Sequence, residues 1–186
     1  MEFFPDLTFG LLNGWIFLGL LCLTDGICFL VFPKAVVKRL FDRSGWSQKQ
    51  VVFTVIGKVF ALVCLTLIVL TPLKIGHAVF VIGAVVTTLG LIGLMVALFN
   101  YRNTPFDQPV ARGLYRISRH PQIVMATVAL LGTCIAMGSW AALIALVVAR
   151  ILSHIALLAE EEVCLKQYGD SYRAYMQRVP RYFVFF

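Results

Sequence analysis

The sequence predicts an all-α fold: an integral membrane bundle of about five transmembrane helices with a short C-terminal helix at the cytoplasmic interface. Three observations carry that reading. Of the 186 residues, 60% are hydrophobic and 13% charged, where a soluble domain has about 25% charged. The apolar residues gather in five runs, at 7–32, 51–73, 76–99, 122–138 and 139–160, four of them near or above the ~20 residues that cross the hydrocarbon. The basic residues fall on one side of those runs. Lys34, Lys38, Arg39, Arg43 and Lys49 follow the first; Arg102, Arg112, Arg116 and Arg119 follow the third; Lys166, Arg173, Arg178 and Arg181 follow the fifth. Only Lys74 lies opposite, with acidic Glu2 and Asp6. By the positive-inside rule the N-terminus is outside and the C-terminus cytoplasmic.

Taken in order, the first run is too long for a secretory signal and lacks a basic flank, so it reads as a retained span ended by Pro33. Pro72 closes the second, before a short outer turn around Gly76. In the third, Gly83, Gly90 and Gly93 are small enough for helices to approach closely. The polar stretch 100–121, with Pro105, Pro109 and Gly113, reads as a cytoplasmic loop folded over the bundle mouth. Runs four and five meet at Gly138-Ser139, a tight hairpin over 122–160. The fifth helix is expected to continue through Glu160, Glu161 and Glu162 to about Tyr168, where Gly169 suits a left-handed stop. A second short helix follows, with Leu165, Tyr168, Tyr172, Tyr175 and Val179 on one face. Residues 1–186 thus read as a single domain: spans in 1–99, motif loop in 100–121, hairpin in 122–160 and tail in 161–186.

Charge inside the bilayer is costly, so each instance is a candidate. Asp25 and Lys58 are placed at similar depth and are expected to pair or to share a polar cavity. Arg150, His154 and Glu161 share one helical face, read as lining a cavity open to the cytoplasm, with Arg150 holding an anionic lipid group. The net charge of +7 reads as orientation and attraction to anionic lipid; no nucleic-acid module is present. Cys22, Cys28, Cys64, Cys134 and Cys164 show no paired spacing, and no metal-ligand motif occurs among His77, His120 and His154.

Two stretches are dense in charge and aromatic hydroxyl: Arg112 to Pro121 (RGLYRISRHP) and Glu160 to Arg181. Gly113-Leu-Tyr-Arg-Ile-Ser-Arg119-His120-Pro121 followed by Glu160-Glu161-Glu162, Tyr168-Gly169, Tyr172, Tyr175 and Val179-Pro180-Arg181 resembles the integral-membrane methyltransferases of the isoprenylcysteine carboxyl methyltransferase and phospholipid methyltransferase type. The resemblance covers roughly the C-terminal half. It implies an enzyme that uses S-adenosylmethionine at the cytoplasmic membrane face, the tail closing over this cofactor. Its methyl acceptor would be a lipid or lipid-linked group, either a carboxylate of the isoprenylcysteine kind or a phospholipid amine.

Carried over, Arg119 and His120 contact the cofactor's polar end, Glu161 and Glu162 form the acidic wall of the cofactor and substrate pocket, and Tyr115, Tyr168 or Tyr172 face the cofactor's cation or adenine. Glu161, Glu162, His154 and Arg150 are the candidate catalytic residues, the first three as possible bases for an amine acceptor. Ile123 and Met125 stand where such proteins often carry tyrosine and glycine. The tail also resembles NADPH-dependent membrane sterol reductases, with Arg112, Arg116 and Arg119 as a phosphate cluster. A non-enzymatic lipid-binding protein is the third reading.

Overall fold

A computed structural model describes residues 1–42 and 46–183; Arg43, counted above among the basic residues, lies outside them. The described residues form seven α-helices and no strand: α1 Trp15–Val31, α2 Lys34–Phe41, α3 Gln48–Leu70, α4 Ala78–Arg102, α5 Pro121–Met137, α6 Trp140–Tyr168 and α7 Asp170–Arg178, with a 3-10 turn Gly113–Arg116 before α5. By length and composition α3, α4 and α6 can each cross a membrane. The apolar helices α1 and α5 have 17 residues each, about 26 Å of rise.

The first apolar run is only partly helical. Residues 8–14 run instead along the α3–α4 turn: Gly14 N donates to Thr71 O at 3.0 Å and Leu73 N to Leu12 O at 2.9 Å, while the Asn13 amide donates to Val69 O at 3.0 Å. Gly14 permits this because a Cβ there would stand 2.7 Å from Ile68 O. These bonds give several of the segment's backbone groups tertiary partners, which an apolar setting rewards.

α3 starts at a capping box, Ser47 N donating to Gln50 Oε1 at 2.7 Å and Ser47 Oγ accepting from Gln50 N. α5 starts at Pro121, whose missing N–H costs nothing there. Gly138, at φ 68°, turns the chain into α6, and Ser139 Oγ caps Ala142 N at 3.2 Å. α6 continues to Tyr168 as expected; Gly169, at φ 55°, breaks it, and α7 follows. Its Tyr172, Tyr175 and Val179 pack with Leu165 and Tyr168 into one cluster.

α4 packs along α5 and α3 along α6. The α4–α5 seam is a small-residue contact: a Cβ on Gly83 would strike the Ala136 backbone nitrogen, and one on Gly90 that of Ala129. Gly132, unremarked in the sequence reading, is the reciprocal gap for Thr87. Where the C-terminal ends of α3 and α5 meet the N-terminal part of α6, Cys64, Ile68, Cys134, Met137 and Leu146 form an apolar core cluster. A second cluster, Cys28, Phe32, Val36, Leu94 and Leu98, joins α1, α2 and α4 towards the motif loop.

α2 was not expected. It lays Arg39 across the mouth of the bundle, where the guanidinium donates to Thr104 O (3.4 Å), Pro105 O (3.3 Å), Gln108 O (3.3 Å) and Tyr168 Oη (2.7 Å). It also lies 5.2 Å from the Tyr101 ring centre and 5.0 Å from that of Phe106. One planar donor fork thereby fastens the motif loop to α2 and α6. Arg39→Met should free that loop by about 2 kcal/mol, the scale of two net hydrogen bonds. The check is a several-fold faster proteolytic cut within residues 103–112 in detergent, with the global unfolding temperature little changed.

Candidate active site

A cavity of about 640 Å³ opens between α1, α2, α4, α5, α6 and the motif loop, within the range of small-molecule and cofactor sites. Its mouth is polar, bordered by Lys38, Arg39, Glu160, Gln167 and Tyr168. Its inner wall is apolar, from Phe29, Leu94, Leu98, Ile123 and Ala126, with Asp25 among them. Tyr115, Arg119, His120, Gln122 and Tyr172 lie between.

Glu161 organises one side of this cavity. It is 3% exposed and accepts from Arg181 twice, Nε to Oε1 at 3.0 Å and Nη2 to Oε2 at 2.8 Å. His120 Nε2 lies 3.2 Å from the same Oε1, and Arg119 Nε 3.4 Å from it. A bidentate arginine pair of this kind fixes direction as well as distance. The Glu161 carboxylate in turn raises the Arg181 pKa above its ordinary value by accepting its hydrogen bonds. Backbone contacts reinforce the join: Arg119 N donates to Pro180 O at 2.9 Å, and Ser118 Oγ to Arg181 O at 2.8 Å. The motif loop, α6 and the tail are thus tied at one carboxylate.

The same loop is held from α7, where Tyr175 Oη donates to Tyr115 O at 2.7 Å. Burial pushes the phenols of Tyr115, Tyr172 and Tyr175 well above their ordinary pKa, so they remain hydrogen-bond donors at neutral pH. Tyr115 Oη and Gln122 Oε1 are buried without a hydrogen-bond partner, and both residues line the cavity. A buried polar atom left unpaired is unfavourable until something meets it. Glu160, also at the cavity, holds Oε2 3.7 Å from His120 Nδ1.

Of the residues singled out in the sequence, Tyr115, Arg119, His120, Tyr168 and Tyr172 line the cavity together. Tyr168 does so with its hydroxyl engaged, accepting from Arg39 and donating to Phe106 O at 3.3 Å. Glu161 lies behind the wall in its clamp. Glu162 points away: it is exposed, bound to Lys166 Nζ at 2.7 Å and to Gln50 Nε2 at 3.2 Å, and Glu160 takes the cavity position. His154 is covered by the tail, its Nδ1 2.7 Å from Tyr182 Oη. Arg150, with Nε buried and unpartnered, is likewise outside the cavity lining. The expected Asp25–Lys58 pair does not form: Lys58 is exposed on α3, while Asp25 faces the cavity.

Arg39, Glu160, Gln122 and Arg181 were missed. Two signals were available: the Glu160-Glu161-Glu162 motif for Glu160, and the Val179-Pro180-Arg181 motif for Arg181, which sits at the end of a face that must dock.

A family model described as phospholipid methyltransferase matches residues 66–171, more than half of the chain. Searches of curated proteins and of solved structures gave no match.

Proposed function

The chain belongs to the phospholipid methyltransferase family, and from that premise we propose that it moves a methyl group from S-adenosylmethionine to a lipid-borne acceptor, in the cavity described and on the cytoplasmic membrane face. The observation that carries the reading is the Glu161 clamp. It holds the two charged stretches of the chain together around one cavity whose lining still has unmatched polar atoms.

The residues suit the cofactor. Its amino acid carboxylate is matched by Arg119 and the His120 ring, its positive groups by Glu160, and its adenine by the faces of Tyr115 and Tyr172 with the Gln122 carbonyl oxygen as acceptor. When bound, S-adenosylmethionine supplies an electrophilic methyl on a sulfonium centre. The protein's own part is alignment and exclusion of water. Arg119 and His120 are held from behind by Glu161, so they meet a ligand without first being ordered. Arg39 and Tyr168 bridge the mouth, while the apolar inner wall accommodates the acceptor's hydrocarbon. Asymmetry of basic residues supports the cytoplasmic orientation.

Two measurements test this. Titration calorimetry with S-adenosylhomocysteine should show binding, and lipid extract incubated with isotope-labelled donor should yield a labelled lipid by mass spectrometry. Glu160→Gln is expected to weaken that binding about tenfold, while Glu162→Gln leaves it within about twofold, because an exposed ion pair contributes little. No affinity in the wild type, or the reverse order of the two variants, would reject the arrangement.

A further inference from the structure

We propose that Asp25 selects the methyl acceptor: its carboxylate receives the ammonium of a lipid-borne amine and takes the proton that must leave before methyl transfer. The inference rests on the methyl-transfer reading above and deepens it. Asp25 belongs to α1, outside the residues that match the family model.

Asp25 lies six residues before the end of α1 at Val31, about 9 Å of rise towards the bilayer interior. Phe29, Leu94, Leu98, Ile123 and Ala126 line the same cavity, and Phe29, Leu94, Leu98 and Ala126 belong to one apolar cluster. Among the described residues it has no hydrogen bond or ion pair. Of the cations near this cavity, Arg39 is committed to loop carbonyls and Tyr168, Arg119 and Arg181 to Glu161, and Lys38 borders the cavity exposed, with no ion pair to Asp25. A carboxylate left in an apolar wall is expensive unless a cation arrives from outside the chain.

The donor-facing groups Tyr115, Arg119 and His120 lie in the motif loop before α5, whereas Asp25 sits deeper, among the residues an acyl or prenyl chain would pass. It therefore meets the acceptor. A carboxylate or thiolate acceptor would set two anions side by side in a low dielectric, which is strongly unfavourable. An ammonium would be drawn in. Proton transfer from that ammonium to Asp25 turns two buried charges into two neutral groups, which an apolar wall favours. The freed nitrogen lone pair then forms the N–C bond as the C–S bond breaks, its electron pair passing to sulfur. The product is a methylated ammonium, and the Asp25 proton returns to water on release.

The test uses the full chain in lipid nanodiscs with isotope-labelled donor. Two acceptors are offered, phosphatidylethanolamine and a farnesylated cysteine with a free carboxylate, and S-adenosylhomocysteine binding is measured in parallel. Wild type should label the amine. D25N should bind S-adenosylhomocysteine within about twofold of wild type yet lose about 100-fold in kcat/KM for the amine, and D25E should recover part of it. Amine turnover in D25N within threefold of wild type overturns the proposal. So does wild-type labelling of the carboxylate and not the amine, which leaves methyl transfer standing. If D25N alone loses S-adenosylhomocysteine binding, Asp25 belongs to the donor or the fold, and the proposal falls. Loss of that binding in the wild type would instead remove the methyl-transfer reading itself.

Discussion

Glu161→Gln should detach the C-terminal tail and abolish donor binding, with a stability loss of about 3–5 kcal/mol, the range for breaking one partner out of a buried ion pair. The carboxylate is buried and answers Arg181, His120 and Arg119 at once. Glutamine keeps the volume and one acceptor oxygen, but it turns an amide N–H2 towards guanidinium donors and leaves two arginines without a counter-charge. The loss therefore exceeds that of a single hydrogen bond. Its effects should be ordered. Residues 178–183 should first gain amide exchange and protease sensitivity, because Pro180 and Arg181 are the contact to Ser118 and Arg119. S-adenosylhomocysteine affinity should go with them. Thermal unfolding in detergent and calorimetry on the same sample check both; a tail still protected in the variant would show that the backbone contacts suffice alone. R181Q should mirror the variant more mildly, since Glu161 keeps His120 and Arg119.

Gly90→Leu is the second large effect, expected to cost about 3 kcal/mol or more, at the upper end for overpacking. An added Cβ would strike the Ala129 backbone and stand 2.8 Å from its Cβ; no flexible side chain is there to yield. α4 and α5 must then part. The damage reaches the cavity, because Leu94 and Leu98 of α4 and Ile123 and Ala126 of α5 all line it. The variant should lose helix packing, read as a lower unfolding temperature and a wider, leakier acceptor region with reduced turnover. Gly93→Leu offers a graded comparison, since its close neighbour is the Met125 side chain, which can move. An equal loss at both positions would mean that the seam is not set by backbone approach.

Much of the architecture was legible in the chain. The capped hairpin at Gly138-Ser139, the extension of α6 to Tyr168, the stop at Gly169 and the aromatic face of α7 all followed from local signals whose chemistry acts within a few residues. The phospholipid methyltransferase membership was legible in the same way, from two ordered motifs. The start of α1 was not. Asn13 and Gly14 serve contacts with Ile68, Val69 and Thr71, and nothing near them in sequence says so. α2 escaped too, because eight residues of mixed charge at a span end carry little pattern.

What the sequence by itself determined was the all-helical fold with its long apolar helices, and the two charged stretches that the fold joins at Glu161. What the tertiary structure alone decided was the work of individual charges. Of three consecutive glutamates, Glu160 lines the cavity, Glu161 clamps the tail and Glu162 is exposed. Asp25 faces the site and Lys58 does not, while Arg150 and His154 fall outside it. The physical reason is the solvent. A helix in water announces its buried face by polarity contrast, but a helix apolar all round announces none. Its facing is then set by how neighbours pack, here by the glycine seam of α4 and α5 and the Glu161 join.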